Sequence, residues 1–271
     1  MNKVNSLSDF HKQEKKRKIN IFLAQLLVFV GFLGLWELLA YTKVINKFLV
    51  SCPSDIYILF VKYLRSGELW THISISLYET MLGLIIGTIL GLLIAVLLWL
   101  NDTIAKILDP FLVVLNALPK TALAPILIVW AGTGVKGIVL VAISLSIVVT
   151  ILSAYNYFKS VDQEQYKMML TFKANKWQIL TKLVLPSNIA NILHIVKINI
   201  GMSWVGVIVG EFLVSRAGIG YLVVYGGQVF KLDLVMMGVF VLGVLALLMY
   251  LVLNYIEIYY RNRRYKKRRK K

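Results

Sequence analysis

Residues 234–256 read LVMMGVFVLGVLALLMYLVLNYI, 23 residues without one charged side chain. As a helix rising about 1.5 Å per residue, this run is long enough to cross the ~30 Å hydrocarbon layer of a bilayer. A helix on the surface of a soluble domain would need a polar face, and this one has none. Residues 137–158 form a second uncharged run, of 22 residues. Working outward, residues 20–41, 70–100, 108–131 and 187–214 are apolar over similar lengths. The whole chain agrees: 271 residues, 59% hydrophobic and only 16% charged, with a mean hydropathy of +0.75. Soluble domains sit near half apolar and a quarter charged. The expectation is an all-α integral membrane protein with six transmembrane helices in one domain.

Charge placement orients these spans. The formal net charge is +17, and its basic residues concentrate in 12–18 and 261–271. Basic clusters beside apolar helices stay cytoplasmic and meet anionic lipid headgroups, so they read as membrane-facing tails, and no nucleic-acid partner is expected. This divides the chain into a basic cytoplasmic tail (1–18), a transmembrane domain (19–260) and a second basic tail (261–271), with both termini cytoplasmic. The first apolar run follows basic residues as a signal peptide would, but it is too long for an h-region and no small-residue cleavage site follows, so it is expected to stay as a helix. Cys52 is the single cysteine, which excludes an internal disulfide and leaves it as a small apolar filler.

Between the spans, Cys52-Pro53-Ser54-Asp55 predicts a helix start and Ser66-Gly67 a stop, giving a short amphipathic helix outside the membrane within residues 42–69. Glu37 falls near the outer end of the first span, where a carboxylate can reach the interface. Gly83, Gly87 and Gly91 share one face of the second span and allow another helix close approach. Residues 101–106 read as a polar turn. The third stretch carries Pro110, Pro119 and Pro125, each of which removes a backbone hydrogen bond and bends a helix. Broken backbone at membrane depth is tolerated where it lines a cavity. Asn116, Pro119, Lys120 and Thr121 are therefore candidates for a translocation path, and Lys120 is costly in lipid. Gly132-Thr133-Gly134 predicts a tight turn.

In the fifth span, His194, Lys197, Gly201, Trp204, Ile208 and Glu211 step by three and four and share a face expected to point into the bundle. Two readings stand for Lys197, Gly201, Trp204 and Glu211. The stripe borders the translocation path, or Lys197 snorkels inward and Glu211 outward to the two interfaces. On the first reading Lys120 and Lys197 suit an anion. The three histidines lie on separate segments, with no H-E-x-x-H spacing and no G-x-x-x-x-G-K-[ST] phosphate loop. The chain is expected to be no enzyme, to hold no cofactor or metal, and to draw energy from a partner.

Residues 159–186 turn polar and basic. Tyr166, Met169, Leu170 and Lys173 predict one helical face, followed by Trp177, Leu180 and Val184. Residues 166–186, YKMMLTFKANKWQILTKLVLP, resemble the cytoplasmic loop motif of permease subunits in binding-protein-dependent ABC importers. Ala174, Lys176-Trp177-Gln178, Leu183 and Leu185-Pro186 fit that motif. The family's Glu-Ala-Ala triplet falls on Lys167-Met168-Met169 and its glycine on Lys173, so Lys173 must adopt positive φ or let the helix continue. Residues 66–70, 108–110, 119–134, 160–162 and 204–221 (WVGVIVGEFLVSRAGIGY) look like the nitrate, sulfonate and taurine subclass, and together the similarity spans about 48–260.

The resemblance implies a type I ABC importer permease fold in the cell membrane, present as a homodimer. Loop 159–186 would form a coupling helix that meets a separate ATP-hydrolysing subunit through Lys167, Met168, Met169, Phe172, Lys173, Ala174, Trp177, Leu185 and Pro186. An extracytoplasmic solute-binding protein would deliver the solute near residues 216–225 and 42–69. The implied solute is a small oxyanion or organosulfonate, although relatives also handle thiamine-precursor pyrimidines and other heterocycles. A secondary transporter or channel should show repeated halves and an embedded ion site, and a membrane enzyme clustered catalytic groups; the sequence has neither sign.

Overall fold

The computed structural model describes residues 7–268, and among them the regular elements are all helical. Five helices are long and apolar enough to span a membrane: α1 (Leu7–Tyr41), α4 (Glu68–Leu100), α7 (Val135–Lys159), α11 (Ile189–Val214) and α13 (Leu232–Arg268). A sixth crossing is a broken pair, α5 (Asp102–Ala117) and a 3₁₀ turn (Lys120–Leu123) running into α6 (Ala124–Ala131), bent by 85°. Of the basic tails, residues 1–6 and 269–271 lie outside the described residues. The rest is helical rather than loose: α1 has 35 residues and α13 has 37. At 1.5 Å per residue each exceeds ~50 Å, so helix built from good formers such as Lys and Arg projects past the hydrocarbon layer.

The core is a three-helix seam. Along its apolar stretch α7 is 61% buried, against 39% for α4 and for α11 and 17% for α13, so α7 is the central span. Gly83, Gly87 and Gly91 of α4 face Ala142, Ser146 and Thr150 of α7, and a Cβ at Gly83 would stand 2.6 Å from that of Ala142. From the other side Gly206 and Gly210 of α11 lie against the Ala142 and Ile138 backbones. Lipid supplies no hydrophobic drive between helices, so close van der Waals contact through small residues holds them. Polar ties add direction: Asn199 Nδ2 donates to Thr88 Oγ1 and Thr150 Oγ1, both at 2.8 Å, joining all three spans.

Residues 101–106, expected as a turn, instead open α5. Asn101 accepts from the Thr103 and Ile104 amides at 3.1 and 3.2 Å, which caps the helix six residues before the expected span start at 108. Of the three prolines only Pro119 breaks the chain, because it pushes Leu118 into extended conformation (ψ 139°). Pro110 stays inside α5, and Pro125 sits in the first turn of α6, where its missing N–H is not needed.

At the opposite end from residues 159–186, α2 (Lys47–Val50) and α3 (Pro53–Ser66) form a cap. Pro53 starts α3 and Gly67 (φ 81°) stops it, as the sequence predicts. Glu37, from the end of α1, accepts from the Ser54 amide at 3.0 Å and its hydroxyl at 2.8 Å, placing a carboxylate at the helix N-terminus. Lys47 pairs with Asp55 at 2.7 Å, which holds the Asp55 carboxyl below the usual carboxylate range. Ser51 donates to Asp233 at 2.6 Å and ties the cap to α13, and Cys52 is buried as a filler.

Candidate functional site

Loop 159–186 folds as two short helices across a tight turn. Asp162 caps α8 (Gln163–Thr171) by accepting from the Glu164 amide at 2.9 Å. The chain then reverses: the Lys173 amide donates to Leu170 O at 2.8 Å and the Ala174 amide to Met169 O at 3.1 Å. This nested pair is the Schellman pattern, which needs a left-handed residue and usually takes glycine there. Lys173 adopts it, with φ 57°, so the turn forms despite the Cβ. Asn175 and Gln178 then exchange bonds of 2.8 and 2.9 Å in a capping box that opens α9 (Lys176–Ile179). A π turn (Leu180–Val184) and α10 (Leu185–Ser187) lead into α11; Pro186 has no N–H to donate, and the ladder shifts by one residue just before it.

This fold sorts the expected coupling residues. Met168 is 52% exposed, Leu170 50%, Phe172 77% and Trp177 60%, all turned away from the bundle, and Lys167 and Lys173 are exposed with them. Met169, Ala174 and Leu185 instead pack with Tyr166 against Phe158, Ile179, Leu180 and Ile195. The face expected from spacing is therefore split: Tyr166 and Met169 point inward, Leu170 outward. Pro186 is half-buried at the joint to α11. Lys176 Nζ donates to Leu100 O at 2.9 Å, fastening the loop to the last carbonyls of α4.

The residues expected along a path do not form one cluster. Asn116, Pro119 and Thr121 are exposed at the α5–α6 bend, and Lys120 Nζ donates to Asn116 O at 3.0 Å, satisfying a carbonyl freed where the helix ends. Gly201 faces open space, with nothing within 4 Å of where its Cβ would stand. Trp204 is buried against Leu84 and Ile200. Lys197 is ion-paired to Glu257, donates to Asn254 Oδ1 at 2.8 Å and lies 5.3 Å from the Tyr250 ring. It locks α11 to α13 rather than snorkelling to an interface, because partners on the facing helix satisfy its charge at depth.

Glu211 likewise has a structural task. It is 1% exposed and accepts from Ser76 Oγ and from the Gly220 amide, both at 2.5 Å. Three consecutive amides opening α12 (Ile219–Gln228) are satisfied this way: Gly218 by His72 Nδ1 at 3.0 Å, Ile219 by Ser76 Oγ at 2.7 Å, Gly220 by Glu211. Glycine is required at 218, where φ is 111° and a Cβ would meet the Glu211 carboxyl.

Sequence reading missed Glu79, Ser76, His72, Asn199 and the Lys197 partners Asn254 and Glu257. Glu79 is 1% exposed beside Glu211, and its signal was plain, a carboxyl inside the apolar run 70–100. Glu257 was hidden by ending the sixth span at 256, one residue short of it.

Curated transport permeases are among the proteins that this chain is similar to. It is 28% identical over 231 residues to a protein of Bacillus subtilis (strain 168) described as an aliphatic sulfonates transport permease, SsuC, covering 85% of this chain and 83% of that one. It is 27% identical over 175 residues to the taurine transport system permease protein TauC of Escherichia coli (strain K12), covering 65% and 64%. Its fold matches a chain of the MetNI methionine ABC transporter in an inward-facing conformation, with a TM-score of 0.62 at 16% identity, over 72% of this chain and 95% of that one. The architecture is thus that of a type I importer permease. Residues 87–264 match the family described as binding-protein-dependent transport system inner membrane component, and the chain belongs to that family.

Proposed function

We propose that this chain is the permease of an importer for a small sulfonate-type anion, driven by a separate ATPase that seats the α8–α9 loop in a cleft. The observation that carries this reading is the row of exposed Met168, Leu170, Phe172 and Trp177 on a short, capped helix pair beyond the end of the bundle. Large apolar side chains held rigidly in water demand a partner, and Met and aromatics are good groove anchors. The basic helix ends lie at that same end, which supports cytoplasmic termini under the positive-inside rule. The transmembrane unit would then be residues 19–260 between basic ends 1–18 and 261–271.

Two copies would enclose the path, with the exposed α5–α6 bend (Asn116, Pro119, Lys120, Thr121) and the open face at Gly201 turned to it, and Lys197, Trp204 and Glu211 serving as supports. Lys120 there, and exposed Arg216 near the opposite end, suit an anion. A solute-binding protein would dock over α3 and α12. The sulfonate assignment rests on the relatives SsuC and TauC.

Replacing Met168, Phe172 and Trp177 together with Asp tests coupling. Each anchor is worth about 2 kcal/mol or more, so ATPase co-purification should fall well over tenfold while membrane insertion is unchanged; undiminished co-purification would remove the mechanism. Reconstituted with ATPase and binding protein, the permease should support ATP hydrolysis stimulated by taurine or an alkanesulfonate. Stimulation by a pyrimidine alone would sink the substrate assignment and leave the coupling intact.

A further inference from the structure

We propose that a wedge between α3, α1 and α13 is a binding site for an anionic phospholipid, with one acyl chain inside the wedge and the headgroup on Lys62 and Arg65. The wedge is a cavity of about 400 Å³ whose walls include Leu33 of α1, Ile56 and Phe60 of α3, and Met237, Val241 and Leu245 of α13. Every lining side chain is apolar except Tyr57, which is 67% exposed. Such a cavity offers nothing to a small anion in transit, which would need hydrogen-bond donors.

Its depth identifies the occupant. Leu33, Ile73 and Met237 lie within about two to three turns of the ends of α1, α4 and α13 that meet at α3, and Leu245 about two turns deeper. That is the hydrocarbon depth of the leaflet on the α3 side, where acyl chains are the solvent. Tyr57 also borders a second depression, lined with it by Ile58, Val61, Lys62 and Arg65, so one residue adjoins both the apolar wedge and a basic surface. Lys62 and Arg65, three residues apart, share the exposed face of α3, and an ion pair of Lys47 with Asp55 lies at the other end of that helix. Lys62 and Arg65 stand about 8–12 Å from Tyr57 along the α3 axis, within reach of the headgroup of a lipid whose chain enters beside Tyr57. Arg and Lys over an apolar slot, with a tyrosine at the boundary, match the chemistry of an anionic headgroup at the interface.

The test uses the full-length chain purified in mild detergent, with native mass spectrometry reading retained dioleoyl phosphatidylglycerol against dioleoyl phosphatidylcholine. The wild type should retain phosphatidylglycerol preferentially. The exposed double variant Lys62→Gln/Arg65→Gln should lose that preference at least fivefold, and Val241→Phe/Val244→Phe, which fills the wedge, should lose both lipids. Because the first pair is on the surface, its result stands even where the second pair fails to fold. Unchanged retention and selectivity in Lys62→Gln/Arg65→Gln would overturn the proposal. So would loss of self-association or binding-protein docking with lipid retention intact, which would give the surface to a protein partner.

Discussion

The seam of α4, α7 and α11 and the peripheral helix α5 are both apolar, yet they are built to opposite ends. In the seam glycines at 83, 87, 206 and 210 bring backbones together, and Asn199 cross-links the three spans. In α5 Phe111 is 62% exposed, Val113 56% and Val114 59%, and among its residues Ala105 alone is buried. Hydrophobicity did not separate the two; residue size did. Small residues mark helices that close on one another, and large ones mark faces left for lipid or for another chain. Loop 159–186 belongs with the second class, since its large side chains are also exposed.

The comparison breaks most readily at Gly206. Leu there would drive a branched side chain into the Ala142 backbone, with its Cβ 2.9 Å from Ala142 N, and should cost about 3 kcal/mol or more. The unfolding midpoint in detergent would fall sharply; a shift no larger than for an α5 surface change would show that the seam is not close-packed. Asn199→Ala comes next. It removes two interhelical bonds and should cost roughly 1–2 kcal/mol, read as denaturant stability, with Thr88→Ala and Thr150→Ala each giving about half. Additive losses from Asn199→Ala and Thr88→Ala would mean that the bond is not shared. A change of opposite sign sharpens the other side: Lys173→Gly relieves a left-handed residue and should stabilise the turn by about 0.5 kcal/mol. Slower amide exchange at Ala174 would report it, while the bundle's own stability stays unchanged.

Much of this was legible beforehand because it is local. Pro53 and Gly67 bound α3, and Gly132 and Gly134 shape the turn before α7 with φ of 86° and 93°, through conformational limits that belong to single residues. Lys173 was posed as a choice between positive φ and a continued helix, and the hydrogen bonds of Leu170 and Met169 decided it. The polar sites were less legible. Lys197 and Glu211 stood out as costly charges in apolar spans, but their partners lie 60 and 135 residues away in sequence, at Glu257 and Ser76. A face shared along one helix tells which residues point together and not what they meet.

By itself the sequence determined the number and rough extent of the apolar crossings, a break within the proline-bearing stretch 108–131 and the close-packing face of α4. Each follows from composition or from a period within one segment, where neighbours in sequence are neighbours in space. Only the tertiary structure decided that α7 is the centre, that Glu211 and His72 cap α12, that Lys197 is locked to α13, and that Met169 packs inward while Phe172 stands out. Those outcomes depend on which helix lies opposite, and a helical period carries no record of its partner.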